Sequence, residues 1–385
     1  MNILLIGDFN SIYMHEYVNF VLLDKNFNHE NKYICFHDSP LSIKDVYYNE
    51  YKKNNIIIFD LKTKFKLIYR YDFLLKRWRS IRLKYILKNS ETIDCLHMHF
   101  VKLEYLRNIK KYRNKLKNII VTFWGSDLLR LQKNKEKEMY ELLLISDNIV
   151  VGPLNMQEAL EKIFGKKFSY KFNYSIFGTP VLEKIKKLKS ANNRKGILEK
   201  FDLPIDKYII TCGYNGKSTQ QHELILNGIS LCDDCIKEKI CLVLPMGYGY
   251  EKSYFNYIEE KLSKLNIEYI IDENFYDIND IAELRISSDI FIHAQLTDGF
   301  SSSVVEYIYA DNILINGDWL DYPVLDKYNV YYLNFSDYRQ LARVVTDVIN
   351  NIDEEKNKVR KSNDFLYKIR SWEYVRNEWQ KLYNC

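Results

Sequence analysis

The chain has 385 residues, of which 47% are hydrophobic and 28% charged, and it contains only 13 glycines and 6 prolines. This composition is typical of a folded protein and excludes a collagen-like or largely disordered chain, while the length favours two or three domains. The net charge of +5 is too small to indicate a dedicated nucleic-acid-binding protein.

The N-terminal residues MNILLIGDFNS lack the positive start and the cleavage site of a signal peptide. No apolar run approaches the roughly 18 residues of a transmembrane helix. The seven cysteines are scattered, which favours reduced thiols in a cytoplasm. Cys232 and Cys235 form a Cys-x-x-Cys pair, but only Cys241 lies nearby, so no zinc site is expected. We therefore expect a cytoplasmic protein without a metal or cofactor.

The first half alternates short apolar runs with charged, helix-compatible stretches, which is typical of a parallel sheet wrapped by helices. The predicted strands are NILLIG (2–7), YICF (33–36), NIIIFD (55–60), CLHMHF (95–100), NIIVTFWG (118–125) and NIVVG (148–152). They define a predicted N-terminal Rossmann-like domain over residues 1–175.

Residues 165–200 are basic and irregular, and we predict a linker at 176–200. The alternation then resumes and predicts a second Rossmann-like domain over 201–355. Its strands lie within YIITCGYNGK (208–217), ICLVLPMGYG (240–249), IEYIID (267–272), DIFIHAQ (289–295), NILING (312–317) and VYYLNF (330–335). Residues 356–385 have helical spacing and are expected to pack back toward the first domain. Two such sheets facing each other would form a ligand-binding cleft.

The stretch DGFSSSVVE joins a predicted strand to a predicted helix. Ser303 and Glu306 match a capping box, which is a purely structural interpretation. That interpretation leaves Asp298, Gly299 and the other serines unexplained. A helix N-terminus with added hydroxyl groups suits a phosphate or diphosphate, and a carboxylate further along the helix suits a ribose diol.

This stretch resembles the Glu-x7-Glu element of retaining glycosyltransferases with the GT-B fold, typified by glycosyltransferase family 4. The resemblance implies that Glu306 holds the ribose of a nucleotide sugar, and that Asp298, which replaces the usual first Glu, lies beside the sugar ring as a catalytic residue. It also implies that the diphosphate is bound by the intervening residues, namely Gly299, Phe300, Ser301, Ser302 and Ser303.

The loop TCGYNGKSTQQHE (211–223) has the pattern of a second anion-binding turn. Gly213 and Lys217 are the candidate contacts, although Lys217 equally fits a solvated loop lysine. The loop departs from family 4 and resembles the transferases that add 4-acetamido-4,6-dideoxygalactose to polyprenyl-linked glycans. The stretch LVLPMGYGYEKSYFNYIEEKL (242–262) is similar to the same transferases.

In the first half, HMHF (97–100) and VTFWGSDLLR (121–130) end two predicted strands. A buried histidine there is often structural, but the resemblance implies that His99 and Asp127 face the cleft as catalytic candidates. Trp124 replaces a usual His and is a candidate for stacking on a sugar. Asp8 and Asn10 follow the first strand in a loop that should face the cleft, and they complete the predicted acceptor or sugar contacts.

Taken together, the resemblance implies a metal-independent GT-B glycosyltransferase. It would move a sugar, with retention, from a nucleotide-sugar donor to a glycan or polyprenyl-diphosphate-linked acceptor, in bacterial surface polysaccharide synthesis such as capsule or O-antigen. The alternatives are a GT-B nucleotide-sugar epimerase and a non-catalytic glycan-binding partner of a polysaccharide complex.

Residues 62–88 contain ten basic residues and one acidic residue, interleaved with apolar and aromatic side chains. This pattern is typical of a peripheral anchor on an anionic membrane surface, here the inner face. It equally fits a helix whose apolar side packs on the sheet while its lysines face water. Nucleic-acid binding is not expected, because no base-reading motif accompanies the charge.

Overall fold

The computed structural model describes residues 1–25, 27, 30–63, 66–152, 154–249 and 251–383. Phe65 of the basic segment and Cys385 lie outside this part of the chain. The chain divides into two compact units, which are Met1–Phe177 with Val375–Cys385 (unit 1) and Gly178–Tyr374 (unit 2). Among the described residues, no helix is both long and apolar enough to cross a membrane.

Unit 1 contains a parallel sheet with the strand order β3-β2-β1-β4-β5-β6-β7. Its strands are β1 (Asn2–Gly7), β2 (Lys32–His37), β3 (Ile57–Phe59), β4 (Ile93–His99), β5 (Leu116–Thr122), β6 (Asn148–Val151) and β7 (Phe172–Tyr174). Its helices are α1 (Ile12–Tyr17), α2 (Asp45–Lys53), α3 (Asp72–Asn89), α4 (Leu106–Lys111), α5 (Ser126–Leu129), α6 (Glu136–Ile145) and α7 (Leu154–Phe164).

Unit 2 contains a second parallel sheet, with the order β10-β9-β8-β11-β12-β13. Its strands are β8 (Tyr208–Cys212), β9 (Ile240–Pro245), β10 (Glu268–Asp272), β11 (Ile290–His293), β12 (Ile313–Gly317) and β13 (Leu333–Phe335). Its helices are α8 (Val181–Ala191), α9 (Arg194–Lys200), α10 (His222–Ser230), α11 (Asp234–Lys237), α12 (Lys252–Ser263), α13 (Ile278–Ser287), α14 (Ser302–Tyr309), α15 (Pro323–Lys327), α16 (Tyr338–Asn350), α17 (Ile352–Ser362) and α18 (Asp364–Arg370). A last helix, α19 (Trp372–Lys381), spans the boundary between the units.

The predicted fold class is confirmed, because both halves are parallel sheets with intervening helices. Every apolar run of the sequence contains a strand, since a strand covered by helices on both faces is apolar along its whole length. In β1, Leu4 and Leu5 are both fully buried although they point to opposite faces of the sheet. Burial of each such side chain contributes about 1.5–3 kcal/mol.

The linker predicted at 176–200 is wrong for most of its length. Residues 181–200 form α8 and α9, and both helices belong to unit 2. In α8, Val181, Leu182 and Ile185 are buried, because the spacing of these residues places them on one face. The basic residues that suggested a linker occupy the remaining surface of an amphipathic helix.

The C-terminal residues divide between the units, with 356–374 in unit 2 and 375–383 in unit 1. Trp379 is fully buried in unit 1 and donates a hydrogen bond from Nε1 to the Ile176 carbonyl at 2.9 Å. The hydroxyl groups of Tyr383 and Tyr17 lie 2.7 Å apart in the same core. The end of the chain is therefore an integral part of unit 1.

Candidate active site

Three loops of unit 2 meet at the carboxyl edge of its sheet. They follow β8, β9 and β11, which lie side by side in the sheet in the order β9-β8-β11. The Gly216 N–H donates to the Tyr248 carbonyl at 3.0 Å, and the Leu296 N–H donates to the Thr219 carbonyl at 2.9 Å. These bonds fix the loops to one another and concentrate the polar residues of unit 2 at this edge.

Asp298 holds the turn that leads into α14. Its Oδ2 accepts hydrogen bonds from the Ser301 N–H at 2.8 Å and the Tyr322 hydroxyl at 2.6 Å, and it lies 3.5 Å from His293 Nε2. Burial alone would raise the pKa of this nearly buried carboxyl group, but these partners outweigh burial and lower the pKa. Asp298 is therefore an ionised anchor for the N-terminus of α14.

The predicted capping box is wrong. The N-cap of α14 is Ser301, and Ser303 lies inside the helix. Asp298 accepts from the N–H of the N-cap residue Ser301, although the sequence interpretation gave it no role at the helix start. The left-handed residue of the turn is Phe300, with a φ of 69°, and the Phe300 ring is buried. The role of Asp298 beside a sugar stays a prediction.

Glu306 is buried in α14 and belongs to an ionic network inside unit 2. Its Oε1 accepts from the Thr179 hydroxyl at 2.8 Å, and its Oε2 lies 3.3 Å from Nε of the buried Arg285. Arg285 also donates to the Ser303 hydroxyl at 3.3 Å and to the Tyr307 hydroxyl at 2.7 Å. A carboxylate has about four acceptor positions, so Glu306 keeps capacity for a diol.

A second buried guanidinium group lies at the start of the same helix. Arg370, at the end of α18, donates to the Phe300 carbonyl at 2.9 Å and to the Ser302 hydroxyl at 2.7 Å. The two arginines are partly balanced by the carboxylates of Asp298 and Glu306, so the N–H groups and the dipole at the N-terminus of α14 are the features that favour an anionic ligand. The sequence analysis missed Arg285 and Arg370, because each lies far along the chain from the motif and has no motif of its own.

The loop after β8 supplies a further cation. Gly213 has a φ of 66°, and a Cβ there would lie 2.9 Å from Gln220 Oε1. Lys217 is exposed, and no carboxylate of the described residues forms an ion pair with it. It borders a cavity of about 560 Å³, which is also lined by Gly216, Ser218, Thr219, Gly249, Glu251, Ser253, Tyr254 and Tyr257.

His99 ends β4 in unit 1 and is fully buried. Its ring stacks on that of His97 with centroids 4.0 Å apart, and Tyr17 contacts it edge-on at 4.6 Å. Burial lowers the pKa of His99 to about 3, so the ring is neutral at physiological pH. The two ring nitrogens of His97 are hydrogen-bonded to the hydroxyl groups of Tyr383 and Thr122, as expected for a core residue.

Asp127 and Trp124 lie together after β5. Asp127 accepts hydrogen bonds from the backbone N–H groups of Trp124, Gly125 and Val101 at 2.8–3.0 Å. Burial raises the pKa of its carboxyl group to about 6, against the opposing effect of these bonds. These contacts give Asp127 a loop-fixing role, and its catalytic role stays a prediction. The Trp124 ring packs at 5.1 Å from that of Phe177.

Asp8 and Asn10 follow β1 at the same edge of the unit 1 sheet. Asn10 bridges to another loop, donating to the Ser42 carbonyl and accepting from the Lys44 N–H, both at 2.7 Å. The Asp8 side chain is 46% exposed, so it remains accessible to a ligand. The predicted site residues thus form two groups, one at the carboxyl edge of each sheet.

No protein-family model matches the chain, and no curated protein sequence matches it. Solved structures match over its full length. A glycosyltransferase from Rickettsia africae ESF-5 has a TM-score of 0.72 at 15% identity, covering 100% of this chain and 97% of the other. Anabaena Alr3699/HepE in complex with UDP-glucose has a TM-score of 0.68 at 10% identity, with both chains fully covered. WaaG, a glycosyltransferase involved in lipopolysaccharide biosynthesis, has a TM-score of 0.67 at 9% identity, with 99% of each chain covered. The chain therefore has the GT-B fold.

Proposed function

We propose that this chain is a glycosyltransferase that moves a sugar from a nucleotide-sugar donor to a glycan or polyprenyl-diphosphate-linked acceptor. The observation that carries the proposal is the buried Arg285–Glu306 pair behind the N-terminus of α14, at the carboxyl edge of a GT-B sheet. This edge of an open α/β sheet is where ligands bind.

The donor diphosphate would bind at the N-terminus of α14. The N–H groups of its first turn and the ammonium group of Lys217 would neutralise the charge that grows as the sugar leaves, without a metal. Glu306 would accept hydrogen bonds from the ribose diol. The fold neighbour Alr3699/HepE was solved with UDP-glucose, which supports testing UDP-sugars first.

The acceptor would be activated by the donor itself. In a transfer with retention, the bond from C1 to the leaving phosphate oxygen breaks, and the acceptor oxygen bonds to C1 on the same face. The acceptor proton passes to the leaving phosphate. Asp8 and Trp124 of unit 1 would contact the acceptor or the sugar. The acceptor would come from surface polysaccharide synthesis on the cytoplasmic face of the membrane.

The test measures sugar transfer from a panel of nucleotide sugars to a lipid extract that contains polyprenyl-diphosphate-linked glycans. Lys217→Ala should lower kcat/KM about 100-fold without a change in melting temperature, because Lys217 is exposed and would act only on the leaving group. Glu306→Gln should lower kcat/KM roughly 10- to 150-fold by weakening the ribose contact, and it should also lower the melting temperature because it removes the counter-charge of the buried Arg285.

The matched control is Lys187→Ala, which removes another exposed lysine of unit 2. Wild-type activity in both Lys217→Ala and Glu306→Gln would contradict the proposed site. Epimerisation of a donor without any acceptor would favour the epimerase instead, and donor binding without turnover would favour the non-catalytic partner.

We further propose that α3 and the turn before it bind an anionic membrane surface. One side of α3 packs in the core through Leu75, Leu83, Ile86 and Leu87. The other side exposes apolar residues among cations, as in the i, i+4 series Phe73, Arg77, Ile81 and Tyr85. This exposed surface, the basic-aromatic stripe, consists of Lys66, Leu67, Arg70, Tyr71, Phe73, Arg77, Ile81, Lys84, Tyr85 and Lys88.

Not all basic residues of the segment belong to the stripe. Arg79 donates to the Asp38 carbonyl at 2.8 Å, and Arg82 donates to the Asp60 carbonyl at 3.0 Å. These two arginines fix α3 to unit 1 and are not available to a membrane. One side of α3 thus packs within unit 1, and the exposed stripe on its other side is the surface proposed to bind a membrane.

Co-sedimentation with phosphatidylcholine vesicles that contain phosphatidylglycerol tests the stripe. Because each basic residue near an anionic surface contributes about 1 kcal/mol, Arg77→Ser/Lys84→Ser/Lys88→Ser should weaken binding roughly 100-fold. Lys187→Ser/Lys195→Ser/Lys239→Ser has the same net charge and should bind like the wild type. Equal binding by the two triple variants would contradict the membrane proposal.

A further inference from the structure

Two aromatic rings are exposed at the carboxyl ends of β9 and β10. Tyr248 is 47% exposed and Phe275 is 74% exposed. The ring centroids lie 6.4 Å apart with an interplanar angle of 71°, so the two rings meet edge to face and form a corner. Exposed aromatic surface at the ligand-binding edge of an α/β sheet indicates a surface that a ligand covers.

The loops that carry these rings are rigidly joined. Gly247 approaches the next loop so closely that a Cβ would lie 1.9 Å from the Asn274 carbonyl oxygen. The Met246 N–H donates to the Asp272 carbonyl at 2.7 Å. Asp272 Oδ1 accepts from both the backbone N–H and the side-chain amide of Asn274, each at 2.9 Å. The corner is thus preformed, and a ligand would not have to order it.

The corner continues the Arg285–Glu306 site. The Gly216 N–H of the loop after β8 donates to the Tyr248 carbonyl at 3.0 Å, and Tyr248 lies near enough to Arg285 and Glu306 for their charges to act on its hydroxyl group. A nucleotide extends from its phosphates through the ribose to the base. With phosphates at the N-terminus of α14 and the ribose at Glu306, the base would extend toward Tyr248 and the adjacent Phe275.

We propose that Tyr248 and Phe275 form an aromatic corner that receives the nucleobase of the donor. This inference rests on the proposed function and specifies which residues contact the base. The face of one ring stacks on the base while the other ring borders it. The side-chain amide of Asn274, the polar group beside Phe275, is already bonded to Asp272, so stacking supplies most of the contact with the base.

Binding measurements on the full chain test the corner. Dissociation constants are determined by calorimetry for UDP, GDP, ADP, CDP, TDP and inorganic pyrophosphate. Because base stacking on an aromatic side chain contributes roughly five- to 150-fold in affinity, Phe275→Ala should weaken the preferred nucleotide by that factor. Its affinity for pyrophosphate should stay within about twofold of wild type, and Phe275→Trp should retain nucleotide affinity.

Tyr170→Ala is the matched control, since Tyr170 is 82% exposed and lies just before β7, at the amino edge of the unit 1 sheet. It should bind every ligand like the wild type. The inference is overturned if Phe275→Ala binds the preferred nucleotide as tightly as the wild type, or if the wild type prefers no nucleotide over pyrophosphate.

The same measurements separate this inference from the proposed function. If Phe275→Ala binds the nucleotide more weakly and the wild type transfers no sugar, the corner is supported and the transferase proposal is contradicted. Sugar transfer with no effect of Phe275→Ala on nucleotide affinity would support the transferase and contradict the corner.

Discussion

Asp298 combines nearly complete burial with a full negative charge, and its three polar neighbours all contact the same oxygen, Oδ2. Within the described residues, no hydrogen bond reaches Oδ1. The carboxylate can therefore fix the turn with one oxygen and keep the other for a sugar hydroxyl group. Tyr322 and His293 both contact Oδ2 and help to orient the Asp298 carboxylate.

The hydroxyl group of Tyr322 should contribute measurably to the stability of unit 2. Tyr322→Phe removes a 2.6 Å hydrogen bond to a buried carboxylate, and bonds of this type contribute about 1.5–3 kcal/mol. We expect the free energy of unfolding in urea to fall by that amount, when unfolding is monitored by hydrogen exchange of unit 2 peptides. Tyr328→Phe changes a 41% exposed tyrosine of the same unit and should cost less than about 0.5 kcal/mol. Equal stabilities of the two variants would rule out an anchoring role for Tyr322.

The secondary-structure elements differ in how far the sequence predicts them. The central strands are predictable because burial on both faces makes each an apolar run. The outer strands β3, β10 and β13 are apolar runs that are only partly buried, and β7 was missed because Phe172, Asn173 and Tyr174 form no such run. Helix α8 was mistaken for linker because its lysines outnumber the apolar residues of its buried face. The networks around α14 were not predictable, since Arg285 and Arg370 reach it from 21 and 68 residues away along the chain.

The turn after β8 depends on glycine for both conformation and space. Gly213→Ala places a Cβ in a left-handed residue and within 3.0 Å of Gln220 Oε1 and His222 Nε2, both of which are buried side chains. The backbone cost is about 1 kcal/mol, and displacement of the two side chains should add to it. We expect a loss of about 2 kcal/mol or more in unit 2, together with weaker nucleotide binding.

Gly249→Ala separates the two contributions to that cost. Gly249 has a φ of 76°, and the nearest described atoms to its Cβ would belong to the flexible side chain of Lys217, which can move aside. This variant should therefore lose only the backbone contribution of about 1 kcal/mol. The packing argument is refuted if Gly213→Ala is no less stable than Gly249→Ala in urea unfolding of unit 2.

On the scale of the whole molecule, the two units have separate sheets and unequal shares of the proposed chemistry. All residues proposed to hold the nucleotide part of the donor, from Gly213 to Glu306, belong to unit 2, as do Arg285 and the later Arg370. Two parallel α/β sheets were predictable from the sequence because both halves follow the same βα alternation, and the resemblance of DGFSSSVVE to a known element added the GT-B fold. The residues proposed to bind the donor could be named only where this resemblance applied, since the long-range arginines carry no local pattern.

This division predicts where nucleotide binding stabilises the protein. A ligand at 100 times its dissociation constant stabilises the unit that binds it by about 2.7 kcal/mol. Exchange of the core amides of β8 and β11 should therefore slow by roughly 100-fold when UDP, or the nucleotide that binds best, is added. Core amides of β1 and β5 in unit 1 provide the internal control and should change by less than about twofold. Equal slowing of exchange in both sets of strands would contradict donor binding by unit 2 alone, because stabilisation by a ligand reaches only the cooperative unit whose native state binds it.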